Sequence, residues 1–162
     1  MAKVSYIPKD YHSVTPYLIV KGAAKAIDYY KKVFGAIEVM RMPGPDGRIG
    51  HAELKIGNSY VMLADESPNM GHAHSSAATM GGSPVSLLVY LPDVDKVVER
   101  ATAGGARIVK PVQDQFYGDQ FYGDRSGFIQ DPFGHFWSVA THIEDVSPKD
   151  MEARMKKTSQ AA

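Results

Sequence analysis

The sequence predicts an α+β fold made of two successive βαβββ modules, and three observations point to it. Residues 18–28 recur as residues 89–99, each position 71 residues later (18 to 89). Both copies run from an apolar strand into a helical stretch that ends at a Gly-Ala pair. The downstream halves match at an offset of 77, because Gly57 corresponds to Gly134. Each module needs its twin to bury its apolar face, and a ligand site is therefore expected between the copies.

Module one is assigned to residues 12–66, and its first half is predicted to be strand, helix and strand. Residues 15–20 are largely β-branched and aromatic, which favours a strand. Residues 23–33 carry apolar side chains three or four positions apart, as on one face of a helix, and Gly35 supplies the left-handed residue that ends it. Residues 37–42 form the next predicted strand.

The second half of module one is predicted to be a β-hairpin. The cluster 43–47 contains two prolines and two glycines and is typical of a turn. Residues 51–56 then alternate strictly between polar and apolar side chains, as in a strand with one buried face. Gly57-Asn58 is a two-residue hairpin signal that leads into a strand at 59–63.

Residues 67–84 are rich in Ser, Gly, Ala, His and Met without any period, and we interpret them as the linker between the modules. Module two, assigned to residues 85–146, repeats the order of elements. It begins with a strand at 85–90. A helix follows over 93–103, with Asp93 as its N-cap.

The rest of module two is predicted to be three strands. The first spans 106–112, and the hairpin strands at 127–130 and 135–140 flank the turn 131–134. Residues 147–162 form a C-terminal tail that opens with a Ser-Pro pair, typical of a helix start.

A tandem duplication lies just before the last hairpin. Residues 115–119 and 120–124 both read Gln-Phe-Tyr-Gly-Asp. An exposed loop tolerates such an insertion at little cost in closure entropy, which is consistent with an insertion that has no function. The alternative is that the additional aromatic side chains line or cover a ligand site.

Length and composition indicate one compact domain of two half-size modules over residues 1–162. Lys plus Arg and Asp plus Glu each number 18, so neither nucleic acid nor a membrane is an expected partner. No apolar run reaches membrane-spanning length, and residues 1–6 lack the character of a signal peptide. The absence of cysteine excludes a disulfide framework, a thiolate metal site and a cysteine nucleophile. We expect a cytoplasmic protein.

Short motifs that are specific enough to indicate a protein family lie between residues 12 and 150. They are Thr15-Pro16-Tyr17-Leu18, Phe34-Gly35-Ala36, Pro43-Gly44-Pro45-Asp46-Gly47, His51-Ala52-Glu53-Leu54, Phe121-Tyr122-Gly123-Asp124-Arg125, Asp131-Pro132-Phe133-Gly134-His135 and Trp137-Ser138-Val139-Ala140-Thr141-His142. With the two βαβββ modules, these motifs resemble the vicinal oxygen chelate superfamily, which holds glyoxalase I, extradiol dioxygenases and the fosfomycin- and bleomycin-resistance proteins. The chain is most similar to its PhnB-like branch.

The resemblance implies a glyoxalase-like fold in which each module curls a mixed sheet into a half-barrel around a cavity, with the helices outside. It also implies a homodimer. It does not fix the reaction, because one fold hosts many chemistries.

The resemblance also concerns a metal site. In metal-dependent members, His, Gln or Glu side chains from the first and last strands of both modules hold one divalent ion. Alignment with those members places the four positions at Thr15, Val61, Ser86 and Ser138. Hydroxyls and a valine cannot hold a catalytic Zn²⁺, Ni²⁺ or Fe²⁺, so no cofactor is expected. A divalent metal remains the alternative, because a slip in register would bring in Asp65 or Glu66.

His51 and Glu53 are the candidate catalytic residues. Period-two alternation points both the same way, away from the apolar face of their strand. If their face lines the cavity, they form an acid/base or hydrogen-bonding pair, since imidazole ordinarily titrates near neutral pH. If it faces water, they are simply the polar side of an edge strand.

The same alternation predicts the side chains that line the cavity. The inward-facing set is aromatic and aliphatic with few hydroxyls: Tyr17, Ile19, Val61, Leu63, Leu88, Tyr90, Phe136, Ser138 and Ala140. Tyr122 and Arg125 are further candidate ligand contacts; Arg125 would fix a polar group of the ligand, or pair with Asp124 and hold the loop.

This lining suits an uncharged or aromatic small molecule. The sequence therefore favours a small-molecule-binding protein with a metal-free cavity. One alternative is a metal-dependent glyoxalase- or dioxygenase-type lyase or oxygenase. Another is a metal-free isomerase that uses His51 and Glu53.

Overall fold

The computed structural model describes residues 5–115 and 123–152, and the chain divides into two compact units between Ser83 and Pro84. The elements of unit one are β1 (Tyr17–Val20), α1 (Ala23–Phe34), β2 (Ile37–Pro43), β3 (Ile49–Ile56), β4 (Ser59–Asp65) and the short helix α2 (Ala77–Met80). The elements of unit two are β5 (Ser86–Tyr90), α3 (Val94–Ala103), β6 (Arg107–Gln115), β7 (Asp124–Gln130) and β8 (Phe136–His142).

Each unit contains one four-stranded mixed sheet. The strand order is β1-β4-β3-β2 in unit one and β5-β8-β7-β6 in unit two, so the two orders are equivalent. In each unit the first strand in the chain pairs in parallel with the last one, β1 with β4 and β5 with β8. The other neighbouring strands pair antiparallel. Neither sheet closes into a barrel. The predicted α+β fold of two βαβββ modules is confirmed.

Helix α1 forms where the apolar spacing predicts it. Ala26, Ile27, Tyr30 and Val33 stand at positions i, i+1, i+4 and i+7, which share one face of a helix, and they are fully buried. Removing such side chains from water stabilises the unit by about 1.5–3 kcal/mol for each large one. Gly35 ends the helix in the left-handed conformation, at φ 67° and ψ 28°, as predicted.

Both long helices are capped at their N-termini by groups that satisfy otherwise unpaired backbone N–H donors. Asp93 caps α3 as predicted, because its carboxylate accepts a 3.1 Å hydrogen bond from the backbone N–H of Lys96. Strands β4 and β8 also contribute to capping. Thr141 Oγ1 of β8 accepts a 2.9 Å hydrogen bond from the N–H of Val94 at the start of α3. Asp65 Oδ1 accepts from the N–H groups of Gly22 and Ala23 at 2.8 Å.

The strict alternation of β3 is also confirmed. Ala52, Leu54 and Ile56 are buried on the face that α1 covers, while His51 and Glu53 lie on the opposite face. In unit two, the covered face buries Ile129, Trp137 and Val139. We call the face of each sheet that is turned away from its long helix the helix-free face.

The segment 67–84 carries local structure of its own. It contains two 3₁₀ turns, at residues 68–70 and 72–74, followed by α2. The carboxylate of Glu66 accepts hydrogen bonds from the hydroxyls of Ser76 (2.7 Å) and Thr79 (2.6 Å) and so holds the start of α2. Residues 67–83 lie within unit one.

The tail begins as predicted, since Ser147 Oγ accepts from the backbone N–H of Asp150 and residues 148–152 are helical. Most of the duplicated Gln-Phe-Tyr-Gly-Asp segment, residues 116–122, lies outside the described residues. None of the described helices combines the length and the apolar character that a membrane span requires.

Candidate functional site

The structure brings His51 and Glu53 together on the helix-free face of unit one. His51 Nε2 lies 3.2 Å from Glu53 Oε1, and His51 Nδ1 lies 2.9 Å from the hydroxyl of Tyr17. The hydroxyl of Tyr11 donates a hydrogen bond to Glu53 Oε2. Four side chains thus form one hydrogen-bonded chain in the order Tyr17, His51, Glu53 and Tyr11, which we call the relay.

Strand register explains why the relay forms. Tyr17 of β1 pairs with Met62 of β4, and Met62 pairs with Glu53 of β3, so the three side chains form a row across one face. Tyr11 precedes β1, and its ring stacks on the ring of Tyr60 with centroids 4.0 Å apart. Sequence reasoning did not identify Tyr11, because it lies outside every predicted element and follows no strand alternation.

The protonation of the relay follows from its contacts. The Tyr11 phenol, and then His51, lower the pKa of Glu53 by hydrogen bonding to its ionised form. The same hydrogen bond raises the pKa of Tyr11 to about 12, and burial raises the pKa of Tyr17. At neutral pH Glu53 is therefore a carboxylate, while both tyrosines keep their protons.

Tyr17 is more accessible than His51 or Glu53: it is 46% exposed, whereas both of the others are half-buried. Tyr17 also borders a cavity of about 390 Å³ inside unit one. The other walls come from the β2–β3 turn, the end of β4 and the segment after it: Gly44, Asp46, Arg48, Ile49, Gly50, Ala64, Asp65, Glu66, Ser67, Met70 and His74.

Two predicted cavity residues point the other way. Val61 and Leu63 lie on the face that α1 covers, 6% and 0% exposed, in register with Leu54 and Ala52. Their predicted orientation toward the cavity is therefore wrong.

The cause of this error is that Gly57 and Gly134 do not hold equivalent positions relative to the strands that follow them. Tyr17 pairs with Met62, and its counterpart Leu88 pairs with Ser138, so the offset of the last strands is 76 (62 to 138) rather than 77. A shift of one residue turns every side chain of a strand to the opposite face. Ser138 thus corresponds to Met62, and not to Val61.

The positions of the family's metal ligands carry weak donors for a divalent ion. With the register corrected, they are Thr15, Met62, Ser86 and Ser138, which offer three hydroxyls and a thioether. This set does not fit Zn²⁺, Ni²⁺ or Fe²⁺, which bind imidazole and carboxylate. Over residues 5–115 and 123–152, no three His, Asp or Glu side chains are grouped so that they could hold a metal ion.

Unit two has a cavity of about 260 Å³ on its helix-free face. Its lining is rich in hydroxyl and amide groups and includes one aromatic ring: Ser86, Lys110, Pro111, Gln113, Gln115, Ser126, Gly127, Phe128 and Ser138. The ring of Phe128 stacks on that of Phe136, with centroids 5.6 Å apart. Of the predicted ligand contacts, Ser138 lines this cavity directly.

Leu88 and Tyr90 lie on the same face and are 57% and 51% exposed. The Tyr90 hydroxyl donates a 2.7 Å hydrogen bond to the buried carboxylate of Asp124, which also lies 2.7 Å from Nδ1 of His142. Asp145, and then Asp124, raise the pKa of His142 through hydrogen bonds to its two ring nitrogens.

Arg125 does not pair with Asp124. It makes a two-point ion pair with Asp95 of α3, at 2.7 and 2.8 Å, and a third contact with Asp114 of β6 at 2.8 Å. The guanidinium therefore ties the helix to the sheet. Tyr122, the remaining predicted contact, lies outside the described residues.

Known proteins resemble this chain in sequence or in architecture. A protein from Mycobacterium bovis that is described as uncharacterised is 40% identical over 144 residues, which cover 88% of this chain and 91% of that protein. The crystal structure of TioX from Micromonospora sp. ML1 is 30% identical with a TM-score of 0.60, over 82% of this chain and 99% of TioX. The PhnB protein from Bacillus cereus, at 20% identity and a TM-score of 0.60 over 80% of this chain and 99% of that one, shares the fold.

The model of one family covers most of the chain. It matches residues 11–139, which include both sheets up to the middle of β8 and all four relay residues. Its span agrees with the equivalent strand orders of the two units. The chain belongs to the Glyoxalase/Bleomycin resistance protein/Dioxygenase superfamily.

Proposed function

We propose that this protein binds an uncharged, aromatic or partly apolar small molecule without the help of a metal ion. The observation that carries the proposal is the cavity of unit two. Ser86 and Ser138, at positions where metal-dependent members carry ion ligands, line this cavity beside Phe128.

The chemistry of the lining supports a neutral ligand. Serine hydroxyls and glutamine amides can each donate and accept hydrogen bonds, so they fit a molecule with mixed polar groups. The ring of Phe128 offers a face for stacking by an aromatic group. Lys110 is a donor suited to a carbonyl oxygen. The volume of about 260 Å³ lies near the lower end for ligand sites and therefore suits a small molecule.

The test is a titration of metal-depleted protein with aromatic natural products, followed by Trp137 fluorescence and calorimetry. We expect saturable binding of at least one compound, unchanged by EDTA. Ser138→Leu fills the cavity and should abolish the binding, whereas Ser13→Leu, at an exposed position outside both sheets, should not. Flat titrations across the panel would contradict the proposal. A stoichiometric transition metal retained through dialysis would favour the metal-dependent lyase or oxygenase instead.

The relay supports a second candidate, which is metal-free acid/base catalysis of an isomerisation. The hydrogen bond to ionised Glu53 orients the His51 ring, and a proton-transfer site requires such a positioned imidazole. Exchange of the α-protons of an enolisable ketone, such as acetophenone, with D₂O measures this activity. His51→Ala should lower the exchange rate by on the order of 10²-fold. Equal rates for the two proteins would exclude His51 as the base.

We further propose a homodimer located in the cytoplasm. The resemblance to the superfamily implies the dimer, and apolar residues exposed on both sheets, such as Met42 (55%) and Leu88 (57%), are consistent with it. Sedimentation equilibrium should give twice the chain mass of 17.7 kDa. A monomer at micromolar concentration would contradict the dimer, and recovery outside the cytosol on cell fractionation would contradict the location.

A further inference from the structure

We infer that Tyr17 is the residue of the relay that contacts a ligand, and that the charge of His51 decides whether its hydroxyl accepts or donates the hydrogen bond. The inference concerns the cavity of unit one. It rests on the proposed binding function in one respect, which is that a neutral small molecule enters this cavity. Within the relay it gives the ligand contact to Tyr17, which the sequence predicts to line a cavity, and leaves His51 and Glu53 to act through it.

The first step is geometric. Both ring nitrogens of His51 already face a protein partner, Tyr17 at 2.9 Å and Glu53 at 3.2 Å. A ligand could reach either nitrogen only by displacing one of these groups. Tyr17 is about half exposed and borders the cavity of about 390 Å³, whereas His51 and Glu53 are not among the residues that line it, so Tyr17 is the member of the relay that a ligand in this cavity can reach.

The second step concerns the proton on the far side of the imidazole. Glu53 is ionised and can only accept hydrogen bonds, and its other oxygen is held by Tyr11. The nitrogen that faces Glu53, Nε2, therefore keeps its hydrogen in both charge states of His51. Only the proton on Nδ1, which faces Tyr17, changes.

The third step follows from the chemistry of a hydroxyl. When His51 is neutral, Nδ1 is a bare acceptor, so Tyr17 donates its hydrogen to it and offers lone pairs to the cavity. When solvent protonates His51, Nδ1–H donates to the Tyr17 oxygen, and the hydroxyl hydrogen turns to the cavity. A ligand with a hydroxyl or N–H donor fits the first state, and a ligand with only an acceptor oxygen fits the second.

The surrounding charges do not require a charged ligand. Asp46 pairs with Arg48 at 2.6 Å, Asp65 accepts from backbone N–H groups at the start of α1 and β3, and Glu66 accepts from Ser76 and Thr79. The ring of Tyr17 and the side chain of Met70 supply apolar surface. A neutral aromatic alcohol, ether or ketone of small size fits this lining.

The groups that can influence the titration of His51 are on the neighbouring elements. Tyr17 of β1, Glu53 of β3 and Tyr11 form the relay, and the ammonium of Lys55 lies 5.6 Å from the centroid of Tyr60, on which Tyr11 stacks. Strand β2 places Met42, which does not titrate, opposite His51. His74, a second imidazole on the cavity wall, requires a control.

The first experiment needs no ligand and no variant. ¹⁵N NMR of the imidazoles of the wild-type protein across pH reports which nitrogen of neutral His51 carries the hydrogen. We expect the hydrogen on Nε2. A hydrogen on Nδ1 would overturn the inference, because Tyr17 would then receive the same hydrogen bond in both charge states.

The second experiment uses p-cresol, which can donate, and its methyl ether 4-methylanisole, which can only accept. NMR titration at pH values on both sides of the His51 transition gives the ratio of their two dissociation constants. We expect the preference for p-cresol to fall by roughly tenfold as His51 becomes protonated, in line with the exchange of one hydrogen bond. The change should be absent in Tyr17→Phe and retained in His74→Gln.

Three outcomes would overturn the inference: a ratio that is constant with pH, a ratio that changes equally in Tyr17→Phe, or no shift at Tyr17 with either probe. Shifts at Phe128 and Ser138 report the cavity of unit two separately. If the probes bind in the cavity of unit two but cause no shift at Tyr17, this inference is wrong and the proposed function still stands.

Discussion

The indole nitrogen of Trp137 donates a 2.9 Å hydrogen bond to Oδ2 of Asp131, and both residues are buried in unit two. The other oxygen of Asp131 accepts from the backbone N–H groups of Phe133 and His135, each at 2.9 Å. One carboxylate thus holds the Asp-Pro-Phe-Gly-His turn to the first residues of β8 and orients the strand that carries Ser138.

Asp131→Asn should destabilise the protein by about 2 kcal/mol, because the amide cannot accept on both sides and leaves a buried donor without its partner. Urea unfolding followed by Trp137 fluorescence measures the loss. Asp28→Asn, at an exposed position on α1, is the matched control and should change the free energy of unfolding by less than about 0.5 kcal/mol. Equal effects of the two substitutions would contradict the role of Asp131.

Glu66→Gln should reduce stability at neutral pH and have little effect in acid. Hydrogen bonds from Thr79 and Ser76 lower the pKa of Glu66 to about 2 in the folded protein. A lowered pKa stabilises the fold above the unfolded value of about 4.5, and the benefit is lost as pH falls toward about 2. Thermal melts over this pH range should show the melting temperatures of wild type and Glu66→Gln converging as the pH falls. The exposed substitution Glu99→Gln is the control. A gap that is constant with pH would contradict the prediction.

His142→Asn should show the opposite pH dependence. Asp145 and Asp124 raise the pKa of His142, so its protonated form stabilises the fold. This contribution is fully present below the unfolded pKa of about 6.5 and is lost as pH rises through the raised folded value. The difference in melting temperature between wild type and variant should therefore be largest in mild acid and shrink toward alkaline pH. A difference that grows with pH would show that the assigned partners are wrong.

Gly127→Ala should destabilise unit two by about 1–3 kcal/mol through overpacking. A Cβ at this position would lie 2.9 Å from Cγ2 of Val112 on the neighbouring strand. Removing that methyl group in the double variant Gly127→Ala/Val112→Ala should recover part of the loss, and denaturant unfolding of the four proteins of the cycle measures the coupling. If the changes in the free energy of unfolding of the two single variants simply add in the double variant, the clash is excluded.

The sequence predicts the long elements well because their signals are local. Each signal depends on residues that are only a few positions apart in the sequence. This holds for the apolar spacing of α1, the Asp93 cap and the alternation of β3. The candidate pair His51 and Glu53 emerged for the same reason, since period-two alternation alone places both on one face.

The parts of the fold and of the candidate site that the sequence does not predict depend on contacts between segments that are distant in the chain. The equivalence of Met62 and Ser138 is set by strand pairing. The identical glycines mislead because Gly57 lies five residues before Met62 (57 to 62), whereas Gly134 lies four before Ser138 (134 to 138). Tyr11 joins the relay by stacking on Tyr60, across a separation of 49 positions (11 to 60). No periodicity in the sequence marks such a contact.

Asp65 accepts backbone hydrogen bonds from Gly22 and Ala23, where α1 starts, and from Ile49, where β3 starts. Two segments that are remote in sequence therefore share the carboxylate of one residue, which holds three amides. Any fluctuation that frees one of these amides also loosens the anchor of the other two, so they should open together. Native-state hydrogen exchange should find all three amides in one cooperative unit, with a common opening free energy that Asp65→Asn lowers for the whole group.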